Sequence, residues 1–188
     1  MPLTQSKTPD PIAAVGQAPN RPRSSEIGAH HRAKRAPTIS EMRNYEADVI
    51  PVCKELGATF VAYSPLGRGM LTGAFGKAWK PEGPDFRSAM APRFAGEALE
   101  ANLALVAEIE ALATAKNVKA GQIALAWVLS RGEHIVAIPG TTKLANLESN
   151  LAAANVVLSA DEAERLESLA ARVQGQRYNE RGMGAVNA

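Results

Sequence analysis

The chain has 188 residues, enough for one ordinary domain, and 46% of them are hydrophobic, which sets it among globular rather than disordered proteins. A formal net charge of +2 is too small to point to a nucleic acid or a membrane surface as partner. The single cysteine, Cys53, excludes an intramolecular disulfide framework and suits a reducing, cytoplasmic setting; no apolar run is long enough to span a bilayer, and the N-terminus shows no secretory pattern.

The composition changes near residue 40. From Met1 to Pro37 the chain is rich in proline (Pro2, Pro9, Pro11, Pro19, Pro22, Pro37) and poor in apolar clusters, so residues 1–40 read as a disordered, basic tail. Its run His30-His31-Arg32-Ala33-Lys34-Arg35 reads first as a solvated tail, with nucleic-acid binding over Arg21–Arg35 as the weaker alternative.

Residues 41–188 read as one α/β domain. Tyr45–Leu56 is predicted helical, with Val49, Val52, Cys53 and Leu56 on one face and Gly57 as its stop. Ala58–Tyr63 is a bulky apolar run of the kind buried on both faces of a parallel sheet. Ser64–Phe94 is a long Gly- and Pro-containing loop, of a length usually tied to function. Glu97–Lys116 is the strongest helix, carrying Leu99, Leu103, Val106, Ile109 and Leu112 at helical spacing. Ala120–Ser130 follows, with Ile123, Ala124, Trp127 and Val128 on one side, and then the strand Ile135–Ile138, stopped by Pro139-Gly140. Leu144–Ala153 is a short helix. Ser159 and Glu162 form a capping box at the head of the last long helix, and the tail from Gln174 to Ala188 shows no clear period.

Two segments carry chemistry. Tyr63-Ser64-Pro65-Leu66-Gly67-Arg68-Gly69 leaves the first strand at its C-terminal end, where parallel α/β folds bind ligands. A Tyr offers a ring to stack on, the glycines allow close approach of backbone, and Arg68 can grip phosphate. Read alone, the segment is more readily a strand followed by a Pro-Gly turn with a solvated Arg. The second segment, Ile138–Asn150, passes from a strand end through a turn into a helix start, where free amides favour an anion. Asn146 and Asn150 lie four apart on one helical face. Read alone, this is equally a helix capped by a threonine.

Together the two segments resemble the strand-7 and strand-8 ends of the aldo-keto reductase family. The runs that carry the likeness are Phe60-Val61-Ala62-Tyr63-Ser64-Pro65-Leu66-Gly67-Arg68-Gly69 and Ile138-Pro139-Gly140-Thr141, linked by Ile123-Ala124-Leu125-Ala126-Trp127-Val128-Leu129, which is similar to the helix before strand 8. The similarity extends from about Arg43 to the C-terminus. It implies the C-terminal half of a TIM (β/α)8 barrel, since a closed barrel needs about 250 residues. It also implies NADP(H) as cofactor. Tyr63 would stack on the nicotinamide. Ser64, Leu66 and Arg68 would follow the pyrophosphate, Thr141 and Lys143 would take the adenosine 2′-phosphate, and Asn146 and Asn150 would hold the adenine end.

The family reduces aldehydes and ketones with a tetrad of Asp, Tyr, Lys and His from the first half of the barrel, and the residues before Arg43 do not resemble that half. No catalytic residue and no metal ligand is therefore assigned. Tyr45 and Tyr178 match no catalytic motif, and His30, His31 and His134 read as structural or solvated. Cys53 and Trp127 read as core and Trp79 as loop packing; Arg87, Arg93 and Arg177 read first as solvated loop arginines, with contact to a ligand as the weaker alternative. The expectation is a truncated reductase, inactive alone, with a noncatalytic NADP-binding module as the alternative. Uncovered barrel edges would favour self-association.

Overall fold

The computed structural model describes residues 45–76, 85–87 and 91–185. The Pro-rich segment 1–40, with the run His30–Arg35, and Trp79 lie outside the described residues.

Two short strands, β1 (Phe60–Ala62) and β2 (Ile135–Ala137), pair in parallel. Phe60 lies opposite Ile135, Val61 opposite Val136 and Ala62 opposite Ala137. Parallel strands need a long crossover. Here it is built from the 3-10 turns Gly67–Thr72 and Pro92–Phe94 and the helices α2 (Gly96–Ala115) and α3 (Ala120–Ser130). Helix α1 (Val49–Glu55) precedes β1; α4 (Leu144–Ala152), α5 (Ala160–Leu169) and α6 (Glu180–Ala185) follow β2.

Helix α2 forms because its apolar residues recur at helical spacing, and the face they make is the one that packs. Leu99, Leu105, Val106, Ile109 and Ala113 are buried, while Glu100 and Glu110 face water. It stops at Asn117, whose φ of +55° is a left-handed conformation that Asn tolerates better than most residues. The Asn117 amide donates to the Thr114 carbonyl and the Val118 amide to Ala113, so the last carbonyls are satisfied in a Schellman arrangement. Val118 then packs on the core beside α2. Helix α3 is buried from Ile123 to Val128, so it is the central helix rather than an amphipathic surface one. One side joins Met70, Leu71, Phe94, Leu105 and Leu169; the other joins Ile50, Ala62 and Ile135 through Trp127 and Val128. The Trp127 indole N–H donates to the Ala163 carbonyl at 3.3 Å, so its one polar atom is satisfied inside the core.

Helix α5 starts as its sequence dictates. The Ser159 hydroxyl accepts from the Glu162 amide, and the Glu162 carboxylate accepts from the Ser159 amide at 2.7 Å. Lys116, at the end of α2, bonds the same carboxylate at 2.9 Å and ties the two helices together.

Four expectations are corrected. Helix α1 is shorter than Tyr45–Leu56 and buries Ile50, not the predicted face; Leu56 is half-exposed and Cys53 only partly covered. The Asp48 carboxylate accepts from the Val49 amide at 2.7 Å and starts the helix there. The strands are not buried on both faces, because the described helices cover one face only. Val61 and Val136, opposite each other, remain 50% and 42% exposed. The tail holds a further helix, Glu180–Ala185, too short and too rich in glycine to show a period. Arg93 and Arg177 are buried rather than solvated, and they matter at the site below.

Candidate functional site

The parallel pairing of β1 with β2 decides where the two chemistry-bearing segments meet. Because the strands run the same way and Ala62 stands opposite Ala137, both chains leave the sheet at the same end. The Ile138 amide extends the ladder by donating to the Ala62 carbonyl at 3.3 Å. The loop after β1 and the turn after β2 therefore line one cleft of about 670 Å³, a size that suits a small organic ligand.

Seven of the eight residues singled out from the sequence, Ser64, Leu66, Arg68, Thr141, Lys143, Asn146 and Asn150, line this cleft. Tyr63 stands one residue behind its wall, half-buried, with its hydroxyl accepting from the guanidinium of Arg177. That guanidinium also lies 5.5 Å from the centre of the Tyr63 ring.

The wall after β1 is held under backbone strain. Ser64 and Arg68 adopt φ of +52° and +57°, which costs roughly 1–2 kcal/mol per non-glycine residue and persists only where the surroundings impose it. At Arg68 the imposing contacts are plain. Its Nη1 donates to the Arg177 carbonyl at 2.9 Å, and its guanidinium lies over the rings of Tyr178 and Phe86 at 4.6 and 5.4 Å. Gly69, at φ +93°, gives the adjoining turn a conformation that a side chain rarely adopts, and a Cβ there would stand 3.2 Å from the Phe75 ring.

The wall after β2 is held far more loosely. The Thr141 hydroxyl accepts from the Lys143 amide at 3.1 Å, and no side chain caps the first turn of α4. Thr141, Lys143 and Asn146 are exposed and Asn150 is half-buried.

Sequence reasoning missed part of the lining. Arg87, Lys119, Phe75, Thr72 and Ser149 also face the cleft. Arg87 is bonded through Nε to Asp85 at 2.9 Å and lies 5.0 Å from the centre of the Phe75 ring. These bonds hold the Asp85 carboxyl at about 2, below its ordinary 3.8, with the side-chain hydrogen bond from Arg87 as the largest cause. Lys119 precedes α3, where a small hydroxyl or carboxylate side chain is the usual cap; that misfit was the available signal. Among the described residues the lining thus holds four cations, Arg68, Arg87, Lys119 and Lys143, and no carboxylate. Such a surface suits an anionic ligand carrying more than one charged group.

Among the described residues no group of three His, Cys, Asp or Glu is placed to hold a metal, and no helix is long and apolar enough to cross a membrane. His134 approaches the Ile50 carbonyl at 3.3 Å, and Tyr45 packs on Phe60 at 6.0 Å between ring centres, so both act in the framework. His30 and His31 lie outside the described residues.

Comparison with known proteins gives a consistent result. The model of the Aldo/keto reductase family matches residues 37–171. The chain is 42% identical over 146 residues to "Aldo-keto reductase yakc [NADP(+)]" of Schizosaccharomyces pombe, a stretch that is 76% of this chain and 42% of that protein. The glycerol dehydrogenase AKR11B4 from Gluconobacter oxydans superposes with a TM-score of 0.63 at 28% identity, over 69% of this chain and 39% of its own. The chain thus spans less than half the length of these relatives.

Proposed function

This chain belongs to the aldo/keto reductase family, and from that premise we propose that its cleft takes NADP(H). The observation that carries the reading is the convergence of the two strand-end loops on one cleft whose described lining holds four cations and no carboxylate. In this reading Tyr63 stacks on the nicotinamide with the ring face away from Arg177. Ser64, Leu66 and Arg68 follow the pyrophosphate, Thr141 and Lys143 receive the 2′-phosphate, and Asn146 and Asn150 hold the adenine end. Lys119 and Lys143 carry the greater part of the phosphate charge. Their ammonium groups are exposed and in no described ion pair, whereas Arg68 and Arg87 are already braced by protein groups. Lys143 is the residue that favours NADP over NAD.

The bound cofactor supplies hydride for the carbonyl of an aldehyde or ketone, the family's reaction. The residues of this chain hold and orient it. The tetrad that would protonate the carbonyl has no counterpart among the described residues. Tyr45 and His134 serve the framework, and Tyr178 covers Arg68. The chain is thus read as the cofactor-holding part of a (β/α)8 reductase, with a noncatalytic NADP-binding module as the second reading. That second reading is favoured by a cleft whose lining, among the described residues, has cofactor-type groups and no Tyr, His or carboxylate. The uncovered sheet face, Val61, Val136 and Ile138, supports self-association as the way its apolar surface is removed from water.

Titrating the chain with NADPH, followed by nicotinamide fluorescence, tests the cofactor assignment; saturable binding at micromolar NADPH is expected. NADPH oxidation over a panel of aldehydes separates the two readings. No turnover is expected of this chain alone, and robust turnover would overturn the assignment of an incomplete active site.

A further inference from the structure

The segment that follows α5 is fixed to the body of the protein by bonds out of proportion to its length. Asn102, fully buried on α2, donates to the Gln174 carbonyl and accepts from the Gln174 amide, both at 2.9 Å, as a neighbouring strand would. Arg93, also buried, donates through Nε to the Gly175 carbonyl at 3.1 Å. Gly175 passes so close that a Cβ would stand 3.1 Å from the Arg93 amide nitrogen, and its φ of +80° is left-handed. Two residues later the segment delivers Arg177 and Tyr178. Arg177 is only 7% exposed, unusual for an arginine in a loop.

Among the described contacts, Arg177 then meets the wall after β1 in three ways. Its guanidinium donates to the Tyr63 hydroxyl and lies 5.5 Å from that ring's centre, while its carbonyl accepts from Arg68 at 2.9 Å. Tyr178 adds its ring beneath the Arg68 guanidinium at 4.6 Å and meets Phe86 edge-on at 6.1 Å. Both side chains at the head of the first loop are therefore oriented by one short strap, residues 174–178. The wall after β2 receives nothing from it among the described contacts.

We propose that Arg177 is a positioning residue for the nicotinamide end of the cleft. It acts through Tyr63, whose ring it clamps from one face and at the hydroxyl, and through Arg68, whose strained backbone and side chain the strap holds in place. The inference rests on the reading of the cleft as an NADP(H) site. It predicts that the two ends of the cofactor respond differently to loss of the arginine. The ring end needs a fixed Tyr63, whereas the 2′-phosphate end is held by Lys143, Lys119 and Thr141, which the strap does not touch.

The test compares NADPH with 2′,5′-ADP, which carries the adenosine, its 2′-phosphate and one 5′-phosphate but no nicotinamide, by calorimetric titration of the full chain and of Arg177→Met and Arg177→Lys. In Arg177→Met, NADPH affinity should fall about tenfold, while 2′,5′-ADP binding stays within about twofold of the wild type. Arg177→Lys, which keeps the charge but not the planar fork, should fall between. Equal loss for both ligands would mean a merely structural arginine and would overturn the proposal. So would unchanged NADPH binding, or tighter binding, which would make Arg177 a competitor for the Tyr63 ring. Should Arg177→Met fail to fold, Tyr63→Phe decides, because it removes only the hydroxyl that Arg177 grips. A selective loss of NADPH affinity of about threefold supports the clamp, and no change overturns it. If the wild type binds neither ligand, the cofactor assignment itself fails, which is a different result from any of these.

Discussion

Arg68, on one side of the cleft, lies over two rings and donates to a carbonyl; Lys143, on the other side, is exposed and in no described ion pair. The contrast extends to their surroundings. The loop after β1 carries two strained residues, Ser64 and Arg68, and is braced by the strap. The helix after β2 buries none of its residues, leaving Leu144, Leu147 and Leu151 at 71%, 46% and 67% exposure. A flat aromatic ring must be met at a fixed angle and separation, so the side that would stack is the rigid one. A phosphate can be met by a mobile ammonium at many angles, so the side that would neutralise charge tolerates looseness.

The largest effect expected from breaking this contrast is on stability, at Asn102. Asn102→Ala strips the strap of the two bonds to the Gln174 main chain and leaves the Gln174 amide and carbonyl short of a partner. Urea unfolding should show a loss of about 2–4 kcal/mol. A loss below about 1 kcal/mol would mean that the strap is held by something other than Asn102.

On the loose side the effect should appear in binding and not in folding. Lys143→Met should weaken NADPH about tenfold and leave NADH unchanged, with unfolding free energy within about 0.5 kcal/mol of the wild type. Lys119→Met should cost about threefold in NADPH affinity, since the side chain reaches the same cleft from the start of α3. Raised salt should shrink both differences. Equal weakening of NADH and NADPH by Lys143→Met would detach Lys143 from the 2′-phosphate.

The sequence was most legible where one local rule sufficed. The capping box at Ser159 and Glu162, the helices α2 and α3, and the two strand ends all stand where spacing and capping place them. Seven of the eight residues singled out meet in one cleft because a parallel pair must release both chains at the same end. What was illegible depends on contacts far apart in the chain. Arg177 lies 114 residues from Tyr63, and Asn102 lies 72 from Gln174. No periodicity marks such a pair. A loop arginine that will be buried is spelled like one that will be solvated, and an Asn within an apolar helix was the one hint that something polar must meet it. The strands misled in the opposite sense. Their apolar runs suit burial on both faces, and the described helices cover one.

The smallest effect expected is a pH dependence that separates the bracing of the strap from that of the cleft wall. The strap hangs from α5, whose start is held by Glu162. The hydrogen bond from Lys116 is the largest cause of a carboxyl held below its ordinary value, followed by the Ser159 amide. A carboxyl whose pKa is lowered by folding contributes stability that is present above its unfolded value and lost as pH falls through the folded one. The Glu162 contribution should therefore fade as the solution is acidified below the ordinary glutamate range. The same sign holds for Asp85, whose carboxyl Arg87 holds at about 2. Both groups are near water, and salt should diminish each contribution. Stability measured against pH should thus lose an increment with Glu162, one that Glu162→Gln abolishes and Asp85→Asn leaves in place. If Asp85→Asn removed it instead, the acid-sensitive brace would belong to the cleft wall, and the division between a rigid ring side and a loose phosphate side would have to be redrawn around Arg87.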